Sequence, residues 1–164
     1  MNKKIYIKTG ILFVLGLCIL AGCSARQEGK YTREDLDNLA EIRIYSADNN
    51  ELVQTINNEE QLYQYNQCLL FDDSDIAERQ DELKKELDGA TEQYYLISYK
   101  YPVARFGKKD LEENITITLY EDTNIIKMVV SGESIKAFPI SEEFLTFYYE
   151  IPEEGLSFYR SLAE

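Results

Sequence analysis

The sequence predicts one α+β domain: an antiparallel β-meander plus a hairpin, with helices packed on one face. Three observations carry this. The length, 164 residues, is that of a single domain. Residues 114–120 alternate strictly, with Ile115, Ile117 and Leu119 against Thr116, Thr118 and Tyr120. Similar short runs follow, separated by turns too short for anything but antiparallel neighbours. Leu62, Tyr65 and Leu69 recur at helical spacing, as do Leu156, Tyr159 and Leu162. Helices flanking a meander give an α+β sandwich.

The chain opens with Lys3, Lys4 and Lys8 and no acid. Residues 10–20 are apolar, about half the roughly 20 residues needed to span a bilayer. Leu20-Ala21-Gly22-Cys23 follows. A basic start, a short apolar centre and small residues before a cut form the pattern of a secretory signal peptide. Leu20-Ala21-Gly22-Cys23 resembles the lipobox of bacterial lipoproteins. That resemblance implies cleavage after Gly22 and a diacylglyceryl group on the thiol of Cys23. Two acyl chains anchor stably where one does so only marginally. The implied organisation is a signal peptide at 1–22, a lipidated tether at 23–30 and a single α+β domain at 31–164. The implied location is the extracytoplasmic face of the cell membrane. The whole chain resembles the small lipoproteins of Gram-positive bacteria, many of whose mature domains have no assigned function.

Loss of Lys3, Lys4 and Lys8 leaves 14 basic against 30 acidic residues, a net charge of −16. So acidic a surface is repelled by anionic headgroups and stands off the bilayer. It also argues against nucleic acid, whose binding rests on Lys and Arg neutralising phosphates. Cys18 leaves with the signal and Cys23 carries lipid, so Cys68 remains alone, with no internal disulfide to form.

Taken in order, residues 24–30 are small and polar, a flexible tether. Thr32 is placed as an N-cap with Asp35 three residues on, and Tyr31 with Leu36 as a hydrophobic staple. The pattern predicts a short helix over 32–40. Residues 41–56 predict a hairpin, since Ile42, Ile44 and Ser46 alternate with Arg43 and Tyr45, and Asp48-Asn49-Asn50 supplies a turn. Asn58 caps the next helix, with Gln61 at the variant capping-box position. Residues 72–88 are strongly charged, and Ile76, Leu83 and Leu87 are their only large apolar residues. They predict a solvated helix or a mobile excursion, ended at Gly89, with Asp81 and Lys85 spaced to pair.

Residues 91–106 read as a strand interrupted by Pro102, 107–110 as a turn, and 114–120 as the strand above. Residues 125–130 form another strand, and 134–140 a further one carrying Pro139. Ser141 is expected to cap a helix stapled by Ile140 and Leu145 and ended by Pro152. Residues 155–162 predict a last helical turn or two.

The residues exclude several chemistries. The chain has no His, which removes imidazole as base, acid or ligand. It has no G-x-S-x-G, no S-x-x-K, no P-loop and no G-x-G-x-x-G. Asp72-Asp73-Ser74-Asp75 with Glu78 offers oxygen ligands, but Ala77 breaks the Ca²⁺-loop pattern and no Gly follows. Asp48-Asn49-Asn50-Glu51 is an equally loose match, and such runs are usually solvated turns. Neither metal nor organic cofactor is expected, only the lipid on Cys23. Cys68 lacks a partner that would lower its pKa and reads as a small apolar residue.

The compositional oddity is 13 tyrosines with no Trp. Tyrosine combines area, stiffness and a polar tip, which suits interfaces. Tyr95, Tyr99, Tyr101 and Tyr148 are the candidate binding residues. The plainer reading is that tyrosines straddle the core boundary. The functional expectation is a non-enzymatic, membrane-tethered interaction module with an envelope protein, peptide or glycan partner. One alternative is an inhibitor or immunity-type protein against a basic secreted enzyme, since charge complementarity speeds encounter. The other is an enzyme using carboxylates or a metal.

Overall fold

The computed structural model describes residues 30–69, 76–102, 110–132 and 141–164. Residues 1–29, which carry the expected signal peptide and Cys23, lie outside the described residues. So do the Asp72–Asp75 run, the turn at 107–109 and the strand expected at 134–140.

The described residues form one α+β domain around a six-stranded antiparallel sheet, as the sequence predicts. In chain order the strands are β1 (Leu39–Ser46), β2 (Leu52–Ile56), β3 (Glu92–Lys100), β4 (Glu112–Tyr120), β5 (Ile125–Val130) and β6 (Thr146–Glu150). The helices are α1 (Glu59–Cys68), α2 (Ile76–Glu86) and α3 (Glu153–Ser161). The strand order across the sheet is β2-β1-β3-β4-β5-β6, so β2 and β6 are the edges. The β1–β2 hairpin pairs Ile42 with Ile56 and turns through Asn50 at φ 57°. The long β3 and β4 are in register from Leu96 opposite Ile117. That register shifts between Ser98 and Tyr99. There the Ser98 hydroxyl, fully buried, donates to the Ile115 carbonyl (3.0 Å) and accepts from the Ile115 N–H (3.1 Å). A side chain thereby fills bonds that the bulge would leave open.

The main core lies between one sheet face and α1 and α3. Ile42, Ile44, Leu96, Ile117, Leu119 and Ile126 supply the sheet side. Leu62 and Tyr65 descend from α1, and Leu156, Tyr159 and Leu162 from α3 and its end. Each such aliphatic side chain contributes roughly 1.5–3 kcal/mol on burial. Asn58 caps α1 as predicted, its Oδ1 accepting from the N–H groups of Glu60 (3.0 Å) and Gln61 (3.3 Å). The charged 76–86 segment is a helix. Its Leu83 and Leu87 close a second, smaller cluster with Tyr120 and Ile125, flanked by Ala90 and Tyr148. Tyr120, Ile125 and Tyr148 alternate with the main-core residues of their strands. The second cluster therefore sits on the other side of the sheet at its β6 end. It adds to the expected layer of helices. The ion pairs of α2 run from Arg79 to Glu82 (3.8 Å) and Glu150 (3.2 Å), rather than between Asp81 and Lys85.

Two expected helices are corrected. In place of the helix expected over 32–40, residues 33–38 make a turn, and residues 39–40 already belong to β1. The Thr32–Asp35 capping interaction does form, with the Asp35 N–H donating to Thr32 Oγ1 (3.1 Å) and Thr32 N–H donating to Asp35 Oδ2 (2.8 Å). Asp37 (φ 49°) and Asn38 (φ 59°) then enter the left-handed region, which Asp and Asn tolerate, and stop the helix after one turn. Leu39 is thus free to open β1, where it is 2% exposed. The staple partner Leu36 is buried, and Tyr31 stacks on Tyr63 with ring centroids 4.3 Å apart. The second correction is at 141–151. Only Glu142–Leu145 turns helically, as a 3-10 turn, and Ser141 makes no side-chain cap bond. Thr146-Phe147-Tyr148-Tyr149 is β-branched and aromatic and adds to the open edge of β5. Phe147, Tyr149 and Ile151 then face the main core.

Candidate binding surface and cleft

The sheet face turned away from α1 and α3 is where the predicted tyrosines fall. Strand register fixes their neighbours. Tyr45, Tyr95, Thr118, Lys127 and Tyr148 form one cross-strand row, from β1 to β6. Arg43, Ile97, Thr116 and Val129 form the next, and Glu41, Tyr99 and Glu113 a third. At the β6 end this face is covered by the second cluster. At the β1–β3 end, neither hydrophobic cluster includes Tyr45, Tyr95, Ile97 or Tyr99.

Tyr95 and Tyr99 are therefore brought together, on the same strand and face, both half-buried. Tyr95 donates its phenolic proton to the Glu92 carboxylate, and this bond, with burial, raises its pKa. The Tyr99 ring lies under the Arg43 guanidinium, 4.4 Å from centroid to carbon. Burial is the main cause that raises the Tyr99 pKa, with Tyr45 adding to it. Arg43 is held in turn by Glu41, its Nε donating at 2.7 Å and its Nη2 lying 2.6 Å away. Glu41, Arg43 and Tyr99 thus make a fixed carboxylate–guanidinium–ring stack, presenting a flat polar-edged platform.

Tyr148 and Tyr101 are placed apart. Tyr148 stands three strands from Tyr95 in the same row, about 14 Å away at ordinary strand spacing. It packs beside Leu83 and Leu87 under α2. Tyr101 lies just beyond β3 and is 40% exposed, with Arg33 over its ring at 4.3 Å. Sequence reasoning missed Tyr45, Arg43 and Ile97. The alternation of β1 carried the signal, since Arg43 and Tyr45 occupy the positions that Ile42 and Ile44 leave for the opposite face.

A cleft of about 590 Å³ opens at the other end of the sheet, between the β4–β5 turn and α3. Glu121, Asp122 and Glu153 stand on it, with Gln93 and Arg160 deeper. Arg160 Nη2 donates to the Tyr120 carbonyl (3.1 Å), and Asn124 Nδ2 to the Ile151 carbonyl (3.1 Å). The first bond ties the cleft wall to α3, and the second ties it to the link between β6 and α3. Its net acidity suits a cationic group.

Cys68 is half-buried, and burial, with Glu154 nearby, raises its thiol pKa and keeps it protonated. The Asp48–Glu51 segment uses its own side chains to turn: Asn49 Oδ1 accepts from the Glu51 N–H (2.9 Å), and Asn49 Nδ2 donates to the Glu51 carboxylate (3.0 Å). Among the described residues, no group of three or more Cys, Asp or Glu side chains is placed to hold a metal ion. No described helix is long and apolar enough to cross a membrane. No family model matches the chain, and no curated protein or solved structure is significantly similar to it.

Proposed function

We propose that the chain is a lipid-anchored, non-enzymatic interaction module on the extracytoplasmic face of the cell membrane. Its anchor is a diacylglyceryl group on Cys23, as the lipobox resemblance implies. Its partner is an envelope protein, peptide or glycan. One observation supports this reading above the others: the β1–β3 end of the outer sheet face carries Tyr45, Tyr95, Ile97 and Tyr99 outside both hydrophobic clusters. A partner that covers this patch buries aromatic area already held rigid by the Glu41–Arg43–Tyr99 stack, so little side-chain entropy is lost.

The test compares affinity capture from solubilised envelope by the full chain and by a Tyr95→Ser, Tyr99→Ser variant of equal stability. A partner retained by the first and lost by the second supports the reading. Identical captures by both would refute it. The anchor is tested separately, by metabolic labelling with a radioactive fatty acid. Label on the chain that disappears in Cys23→Ser supports lipidation, and label that persists refutes it.

The acidic cleft at Glu121, Asp122 and Glu153 favours a second reading, an inhibitor of a basic secreted enzyme. That complex would dissociate steeply with salt, because exposed charges are screened beyond about 8 Å at physiological ionic strength.

A further inference from the structure

The two edges of the sheet are treated differently. The β6 edge is closed. The Gln80 carboxamide of α2 donates to the Tyr148 carbonyl (2.8 Å) and accepts from the Tyr148 N–H (2.8 Å), in the manner of a neighbouring strand. Arg79 adds an ion pair to Glu150 on the same edge. The β2 edge has no such cover: among the described residues, no strand or helix pairs with its outer side. Its sequence, Leu52-Val53-Gln54-Thr55-Ile56, contains no Lys, Glu or Pro, the residues that usually blunt an edge. Leu52 and Val53 are 52% and 45% exposed.

The stretch of chain that contains this edge carries charge of one sign. From residue 44 to residue 78 the chain has no Lys or Arg, and it carries eight Asp and Glu. β2 lies within that run. Asp48 and Glu51 stand at its start and Glu59 just past its end. Five residues of strand are about 17 Å long, so these carboxylates bracket an open edge of that length.

We propose that β2 accepts an extended segment of a basic partner protein as an added antiparallel strand. Backbone bonds to the open side of β2 supply the affinity, and Leu52 and Val53 give apolar contact. Lys or Arg at both ends of the segment meets Asp48, Glu51 and Glu59. A second copy of this chain fits poorly, because it would bring the same acidic run against itself. The proposal rests on the reading of the chain as an interaction module, and it does not depend on the aromatic patch.

The test uses the full chain in a non-ionic detergent with two labelled peptides. One is Lys-Lys-Val-Thr-Val-Thr-Val-Lys-Lys, and the other carries Glu in place of each Lys. Binding is read by fluorescence anisotropy, and amide exchange is followed along β2. The lysine peptide is expected to bind at least tenfold tighter than the glutamate peptide and to slow exchange within residues 52–56. Thr55→Pro, which removes a backbone donor on the open side of β2, should abolish binding. Val53→Lys, which leaves the backbone donor in place, should weaken it at least tenfold, and Tyr99→Ser should leave it unchanged. Equal binding of the two peptides, or no binding, overturns the proposal. So does β2 protection that grows with protein concentration without peptide, which would make the occupant a second copy. Loss of binding in Tyr99→Ser with retention in Val53→Lys overturns it in favour of the aromatic patch, so the two readings fail separately.

Discussion

Gln80 and Tyr148 are joined by two hydrogen bonds, each 2.8 Å, between a side-chain amide and a strand backbone. The pair is 68 residues apart in sequence. It ties α2 to the edge strand, while Leu83 and Leu87 pack on Tyr120 and Ile125. Polar and apolar contacts thus agree on one placement for a helix that is otherwise strongly charged.

Replacing Gln80 with Leu therefore leaves two half-buried backbone groups without this partner. The expected cost is about 1–3 kcal/mol, or roughly 4 °C of melting temperature per kcal/mol at this size. Amide exchange at Tyr148 should accelerate more than exchange in β3. Uniform acceleration across the sheet would count against a local clamp.

Strands β1 to β5 and two of the helices are legible in the sequence because their alternation and stripes are clean. Ile115, Ile117 and Leu119 face the core as the period requires, and so do Leu156, Tyr159 and Leu162. Where sequence reasoning failed, capping chemistry was present but the next residues overrode it. Thr32 and Asp35 make their capping bonds, yet Asp37 and Asn38 turn left-handed. Ser141 precedes a single 3-10 turn because Thr146-Phe147-Tyr148-Tyr149 has a free strand edge to join. Local signals cannot register an open edge contributed by residues 125–130. The same limit hid the binding surface. Tyr95 and Tyr99 follow from β3 alone, but pairing with Arg43 and Tyr45 is a fact of register between strands about 50 residues apart.

Asp35 gives a pH prediction. The Thr32 N–H, and then the Thr32 hydroxyl, hold its carboxyl below the usual carboxylate range. Folding thus favours the carboxylate. The contribution is complete above the unfolded-state value and is lost as pH falls through the lowered, folded one. Thr32→Ala removes the hydroxyl and leaves the N–H. The Asp35 titration midpoint, followed by carboxyl-carbon NMR, should rise yet stay below the ordinary value. A midpoint unmoved by Thr32→Ala would show that the hydroxyl bond does not persist in solution.

Gly89 ends the turn after α2 at φ +83°, with open space around the position of an added Cβ. Gly89→Ala should therefore cost only backbone strain, about 1–2 kcal/mol. Gly89→Asn should cost less, since Asn tolerates the left-handed region. Equal losses for Ala and Asn in chemical denaturation would point to a clash instead.

Tyr159 separates packing from hydrogen bonding within one side chain. It is fully buried, its ring meets Tyr65 edge-on at 5.8 Å, and its hydroxyl has no hydrogen-bond partner. Burial pushes its pKa far up, so the phenol stays protonated. An unpaired buried hydroxyl costs desolvation and returns nothing. Tyr159→Phe should therefore leave stability unchanged or raise it by up to about 1 kcal/mol. Tyr159→Leu removes the ring and should cost about 2–4 kcal/mol through the space left beside Tyr65 and Phe158. Equilibrium unfolding in urea distinguishes the two. A loss above about 1 kcal/mol for the Phe variant would mean that the hydroxyl is satisfied in solution, by internal water reaching the Tyr65–Tyr159 contact.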